Sequence, residues 1–201
     1  MIKAVIFDVG GVLIRTADHS HRRDWEKRLG LAEWGSEEIV FNSEMGQKAQ
    51  RGEIETAELW QWIGRHLSLD IAALEAFQTD FWAGDVLDTE LVAFIRQLRR
   101  QYQTAIISNA TNSLRQMLTT KYPIVDAFDL IVVSGEEKMM KPDPAIYELT
   151  LERLGRRPDE AVFVDDFAHN IAAAQQVGLA TIHFHPDTNV PDVLARLGVT
   201  V

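Results

Sequence analysis

The sequence predicts an α/β fold: a doubly wound parallel sheet, a Rossmann-like core, with an inserted α-helical cap. A short, wholly apolar, β-rich run, Ala4-Val5-Ile6-Phe7, is followed by similar runs at Thr104 to Ile107, Leu130 to Val133, Ala161 to Val164 and Ala180 to Phe184. Such runs suit strands buried on both faces of a parallel sheet. Segments with helical pattern separate them, and strands alternating with helices imply an open sheet with right-handed crossovers. One long stretch, about residues 14–84, carries helical spacing and no convincing strand.

Taken in order, the first strand runs into Asp8, Gly10 and Gly11. The insertion follows, with Leu59, Ile63, Leu67 and then Leu74, Phe77, Phe81 at helical spacing. It holds all five tryptophans, Trp25, Trp34, Trp60, Trp62 and Trp82, and has room for a bundle of roughly four helices. The expected division is therefore a core of residues 1–14 and 85–201 around a helical cap of residues 15–84. A helix from about 86 to 101 turns Leu91, Phe94, Ile95 and Leu98 inward and leaves Arg96, Arg99 and Arg100 to water. Further on, Asp143 reads as an N-cap with Pro144 at the first helical position and Gly155 as the stop. Ala168 to Val177 is a helix closed by Gly178, and Pro191 opens a last one through Leu197, closed by Gly198.

Composition narrows the function classes. In 201 residues, 46% hydrophobic and 25% charged content excludes a disordered or collagen-like chain. A formal net charge of -10 opposes a phosphate backbone, so nucleic acid is not expected as a partner. Without cysteine there is no disulfide, thiolate nucleophile or Cys-bound zinc. Met1 to Phe7 is too short for a signal peptide and has no cleavage site, and no run of about 18 apolar residues forms a membrane span. The expected location is cytoplasmic, without membrane association.

Open α/β sheets bind ligands at the carboxyl ends of their strands. Strand one ends in Asp8, strand two in Ser108-Asn109, strand four in Asp165-Asp166, and the segment after strand three brings Lys141. Facing carboxylates with hard oxygen atoms and no His or Cys alongside suit Mg²⁺. Ser108 and Lys141 read as donors to a bound anion, and Gly10 and Gly11 let backbone approach it, as a phosphoryl group requires. Taken singly, Asp8 before glycines is a turn former and Ser108-Asn109 with Thr111-Asn112 serves equally as a helix cap. His169, His183 and His185 lack the His-x-x-x-His spacing of a helical zinc site and read as surface residues.

Four segments together resemble the haloacid dehalogenase-like hydrolases: Phe7-Asp8-Val9-Gly10-Gly11-Val12-Leu13, Ile107-Ser108-Asn109-Ala110, Lys141-Pro142-Asp143-Pro144, and Val164-Asp165-Asp166 through Asn170 and Gly178. The resemblance implies that Asp8 is the nucleophile of a Mg²⁺-dependent phosphomonoester hydrolase, forming an aspartyl-phosphate that water hydrolyses. It implies that Ser108, Asn109, Lys141 and Gly11 hold the phosphoryl oxygens. Mg²⁺ would be held by Asp8, the carbonyl of Gly10 and Asp166, with Asp165 close by and Asn170 orienting the acidic pair. The helical segment resembles, in place and size, the cap that selects the leaving group, with Glu44, Lys48 and Arg51 as candidate contacts. The partner so implied is a small phosphorylated metabolite; the sequence is silent on oligomeric state.

One position departs from the pattern. Phosphatases of this family usually carry a second aspartate, the general acid, where Gly10 stands here. Three readings follow: a leaving group that needs little help, a replacement acid such as Asp18, His19 or His21, or reduced activity. The first is favoured, because an anomeric sugar phosphate has a more acidic leaving hydroxyl. The chain is similar in this respect to bacterial glucose-1-phosphate phosphatases, which share the glycine, and its Arg51-Gly52-Glu53-Ile54 turn adds to the similarity. The rivals are a 2-haloacid dehalogenase, which needs neither acid nor metal, and a non-catalytic phosphate-binding or interaction module. Paired Asp165 and Asp166 beside Asp8 would be an unneeded repulsion in a dehalogenase.

Overall fold

A computed structural model describes all 201 residues. Strand β1 (Ala4–Phe7) leads to β2 (Ile14–Thr16), then to helices α1 (Ser20–Leu29) and α2 (Gly35–Glu37), a π-helical turn at Glu38–Asn42, α3 (Glu44–Gln50), α4 (Thr56–His66) and α5 (Ile71–Phe81). The chain returns through β3 (Asp85–Leu87) to α6 (Thr89–Leu98), β4 (Gln103–Ser108), α7 (Leu114–Thr120), β5 (Leu130–Val133), α8 (Ser134–Glu137) and α9 (Pro144–Leu154). It ends with β6 (Ala161–Asp165), α10 (Ala168–Val177), β7 (Ala180–His183) and α11 (Val190–Arg196). No helix is long and apolar enough to cross a membrane.

Five strands form one parallel sheet in the order β5-β4-β1-β6-β7. Side chains alternate across it, as the period of two requires. Val5, Phe7, Ile106, Val162 and Val164 pack on one side against Leu91, Ile95, Leu98, Leu114 and Leu118 of α6 and α7. On the other side Ala4, Ile6, Ala105, Ile107 and Phe163 meet Ile146, Tyr147, Leu151, Ile171 and Ala174 of α9 and α10. Both faces of the central strands are covered, which is why those strands read as largely apolar runs. From β1 the chain builds outward through β4 and β5, then returns to β6 and β7. The order therefore reverses beside β1, and the crevice beyond its carboxyl end is the place where such sheets bind ligands.

The helical insertion has its own core: Trp25, Trp60, Ile63, Phe77 and Phe81 are buried, with Trp62 and Trp82 packed against them. The rings meet edge to face, Trp25 on Phe77 at 5.4 Å and Trp60 on Phe81 at 6.2 Å. Trp34 stands apart, 48% exposed.

The junction departs from the sequence expectation of a helix beginning near residue 86 and no strand after Ile14. Ile14, Arg15 and Thr16 pair antiparallel with Leu87, Val86 and Asp85, and α6 begins at Thr89 with Asp88 as its cap. Three-residue strands are too short for alternation to show, and each exists because the chain leaves and re-enters the core side by side. Buried Arg22 holds the base of the insertion to this ribbon, donating to Phe81 O (2.7 Å), Glu37 (2.9 Å) and Asp85 (3.0 Å). At the crossing, Ala17 N–H donates to Gly84 O, and a Cβ on Gly84 would sit 1.8 Å from the carbonyl oxygen of Asp18. Gly84→Ala should therefore lower unfolding stability by about 1–3 kcal/mol, the usual cost of overpacking, measured by urea denaturation. An unchanged midpoint would show that the crossing can relax.

Candidate active site

The site grows from the centre of the sheet. Asp8 follows β1 and continues its ladder, donating its N–H to Val164 O at 2.9 Å. With β4 and β6 in register on either side, Asp8, Ser108 and Asp165 leave adjacent strand ends. Lys141, only 1% exposed, comes in from the loop before α9, and its Nζ lies 2.9 Å from Asp8 Oδ1 and 2.7 Å from Asp165 Oδ2. Burial opposes the ammonium, but the two carboxylates outweigh it and hold its pKa above the ordinary lysine value.

The adjacent aspartates sit in different surroundings. Asp165 is fully buried; its Oδ1 accepts from Phe167 N–H (2.8 Å) and Asn170 Nδ2 (3.0 Å), its Oδ2 from Lys141. Asp166 is half-buried, and its Oδ1 is a buried oxygen with no partner. Burial, then the charge of Asp165, raises the Asp166 pKa. Asp8 is pushed up to about 7, chiefly by burial and also by the charges of Asp165 and Asp166, against the pull of Lys141.

Asp8, Asp165 and Asp166 can bring one oxygen each within 4.8 Å of one another. Three carboxylates against one ammonium leave two negative charges in excess, and a divalent cation would cancel them. The bare Asp166 oxygen and the all-oxygen donor set fit Mg²⁺. Gly11 is required beside it: its φ is +73°, and a Cβ there would fall 2.1 Å from Asp166 Oδ2. Gly10 differs, with no atom within 4 Å of the position a Cβ would take.

The loop after β4 makes contacts that the sequence did not reveal. Ser108 is buried at the strand end, 4% exposed. The side chain of Asn109 is taken up by the backbone of Lys141, and that of Asn112 by the insertion, where Thr56 Oγ1 donates to its Oδ1 at 2.5 Å and Glu55 accepts from its Nδ2. Neither caps α7, whose N-cap Ser113 makes no side-chain capping bond and instead shares a hydrogen bond with the Thr111 hydroxyl. The Ser134 hydroxyl accepts from Ala110 N–H at 2.9 Å, and Gly52 lies so close to Gly135 that a Cβ would be 2.1 Å from its carbonyl oxygen. The turn at 51–56 thus rests on the start of α8 and on the loop after β4, at the carboxyl edge of the sheet.

The other candidates make their contacts outside the carboxylate cluster, and His19 Nδ1 has no hydrogen-bond partner. Asp18 caps Ser20 (2.8 and 2.9 Å), His21 faces Asp80 at 3.9 Å, and His19 lies edge-on to Trp34 with Nδ1 3.6 Å from Glu37. Glu44 pairs with Lys48 (2.7 Å) and Arg51 with Glu53 (2.5 Å) on the surface of the insertion. His169, His183 and His185 are exposed, although His183 Nε2 is 3.0 Å from the carbonyl oxygen of Asp166.

Comparison with known proteins places these residues in context. The family model described as haloacid dehalogenase-like hydrolase matches residues 2–178. A sesquiterpene phosphatase of Aspergillus oryzae is 30% identical over 190 residues, covering 90% of this chain and 89% of that one. Mouse acyl-CoA dehydrogenase family member 10 is also 30% identical, but this chain spans only 19% of its length. Among solved structures, a haloacid dehalogenase family enzyme of Bacteroides thetaiotaomicron in complex with magnesium and inorganic phosphate has a TM-score of 0.81 at 24% identity, covering 96% of this chain and 99% of that one. L-2-haloacid dehalogenase of Xanthobacter autotrophicus has a TM-score of 0.65 at 22% identity, covering 98% of this chain and 82% of that one.

The raised Asp8 pKa sets a pH dependence. Below pH 7 the metal-free protein keeps a proton on Asp8 that a divalent cation must displace, so affinity falls as pH falls. Calorimetric titration with Mg²⁺ should show about tenfold weaker binding per pH unit below 7 and a plateau above about pH 8. Equal affinity at pH 5.5 and 8 would contradict this assignment.

Proposed function

We propose that this chain, which belongs to the haloacid dehalogenase-like hydrolases, is a Mg²⁺-dependent phosphatase acting on a small phosphomonoester with an acidic leaving group, an anomeric sugar phosphate being the first choice. The observation that carries the reading is the carboxylate excess around Lys141, with an unpartnered oxygen on Asp166. A dehalogenase displaces a halide that needs neither metal nor proton, and in it that excess would only repel. The magnesium and phosphate held by the Bacteroides enzyme of the same fold point the same way.

Asp8 is the nucleophile in this reading: its carboxylate attacks phosphorus, the bond to the leaving oxygen breaks, and that oxygen takes the electron pair. Water then attacks the aspartyl-phosphate, releasing inorganic phosphate and restoring the carboxylate. Val9 N–H, 2.7 Å from Asp8 Oδ1, and Lys141 fix the carboxylate for attack. Ser108 and Lys141, with Gly11 backbone close by, would hold the phosphoryl oxygens. Asp8, Asp166 and the Gly10 carbonyl would hold Mg²⁺, which supplies charge neutralisation at the phosphoryl group. Asp165, its oxygens committed to Lys141, Asn170 and Phe167 N–H, serves this arrangement by anchoring the lysine. Residues 15–84 would act as a cap, excluding water and selecting the leaving group, with Glu44, Lys48 and Arg51 near the 51–56 turn as candidate contacts.

The acidic-leaving-group assignment rests on Gly10. Of Asp18, His19 and His21, only Asp18 is hydrogen-bonded, accepting from Ser20 N–H and Oγ; His19 Nδ1 has no hydrogen-bond partner and His21 lies 3.9 Å from Asp80, so the assignment stands on Gly10 alone.

Phosphate release should require Mg²⁺, stop with EDTA, vanish in Asp8→Asn and favour anomeric over primary-alcohol phosphates. Halide release without phosphate release would support the dehalogenase instead, and neither would support a binding module. Because position 10 has room for a side chain, Gly10→Asp should raise turnover of primary-alcohol phosphates by about 10²-fold, the low end for a general acid. No gain in steady-state rate, with the protein still folded, would mean that leaving-group protonation is not the limit.

A further inference from the structure

We infer that Asn109 is a positioning residue, one that places the Lys141 ammonium by clamping the Lys141 backbone and does not itself touch the phosphoryl group. The inference rests on the phosphatase reading for its kinetic consequence and on geometry alone for the clamp. Lys141 lies between α8 and α9, in neither helix nor strand. Its N–H donates to Asn109 Oδ1 at 2.8 Å, and its carbonyl accepts from Asn109 Nδ2 at 2.8 Å. One planar amide thus pairs both backbone polar groups of one residue, as a neighbouring strand would. A side chain with four rotatable bonds reaches a fixed point only if its Cα is fixed. Asn109 provides that anchor from the end of β4, next to β1 and Asp8.

The residue type follows from the task. A primary amide carries a donor and an acceptor at fixed separation on a short stem. Aspartate keeps the acceptor for the Lys141 N–H but faces its carbonyl oxygen with another oxygen, and serine can satisfy only one of the two groups. The clamp uses Oδ1 and one of the two Nδ2 hydrogens, which leaves a single amide hydrogen as all that the Asn109 side chain could turn toward an anion, and the paired variants below decide whether it does so.

Two measurements test the clamp. Acetic anhydride labelling followed by peptide mass spectrometry reports how firmly Lys141 is held, without reference to activity. Lys141 should label about tenfold faster in Asn109→Ala than in the wild type, while Ser108→Ala leaves it protected. In kinetics, Asn109→Ala should lower kcat/KM by about 10- to 10²-fold in the wild type but by no more than about twofold in a Lys141→Ala background, because the two act as a unit. If Lys141→Ala turns over too slowly to measure, the affinity for inorganic phosphate closes the same cycle. Equal losses in both backgrounds would show that Asn109 touches the anion directly and would overturn the inference, as would unchanged labelling. Should Asn109→Ala not fold, Asn109→Asp, of the same shape, carries the test with intermediate effects expected; wild-type labelling and turnover in that variant would also overturn it. Absence of phosphate release from the wild-type enzyme would count against the phosphatase reading alone, since the labelling still decides the clamp.

Discussion

The buried ammonium of Lys141 is the constraint on which the rest of the structure depends. A charge with 1% exposure is untenable in an apolar interior unless opposite charges meet it within hydrogen-bond distance. Asp8 from β1 and Asp165 from β6 do so, while Asn109 from β4 holds the backbone. Those three strands are neighbours because the sheet order is β5-β4-β1-β6-β7, so topology and site express one arrangement. The carboxylates in turn outnumber the cation, which leaves the crevice at the carboxyl edge negative and suited to a divalent ion.

Asp165 and Asp166 show how one step along the chain separates two tasks. The last residue of β6 points into the interior, where Lys141, Asn170 and a backbone N–H saturate it. The next residue, Asp166, sets Oδ2 against Gly11 while its buried Oδ1 has no protein partner. An unsatisfied buried acceptor costs roughly 1–3 kcal/mol, more when charged, and this one stands beside the nucleophile, where it can hold an ion.

The helical insertion is attached differently from the helices of the core. Its aromatic cluster is separate from the two that sandwich the sheet. Its links to the core named above are the β2–β3 ribbon, whose Ile14 and Leu87 pack into the core cluster, and the polar contacts of Arg22 with Asp85 and of Glu55 and Thr56 with Asn112.

Local chemistry makes much of this legible in the amino-acid sequence. Apolar runs marked the five core strands, Asp143 with Pro144 and Gly155 bounded α9, and the residues at strand ends marked Asp8, Ser108, Lys141, Asp165 and Asp166. Each of those signals lies within a few residues of the element it specifies. What stayed hidden were pairings between distant segments: β2 with β3, Arg22 with Asp85, Asn112 with Thr56, and Asn109 with a backbone 32 residues away. An asparagine after a strand reads equally as a cap, an anion ligand or a clamp, since its amide serves all three. The sequence by itself determined which chemical groups reach the carboxyl edge of the sheet; only the tertiary structure decided which of them are already spent on one another and which, like the Asp166 oxygen, remain free to act.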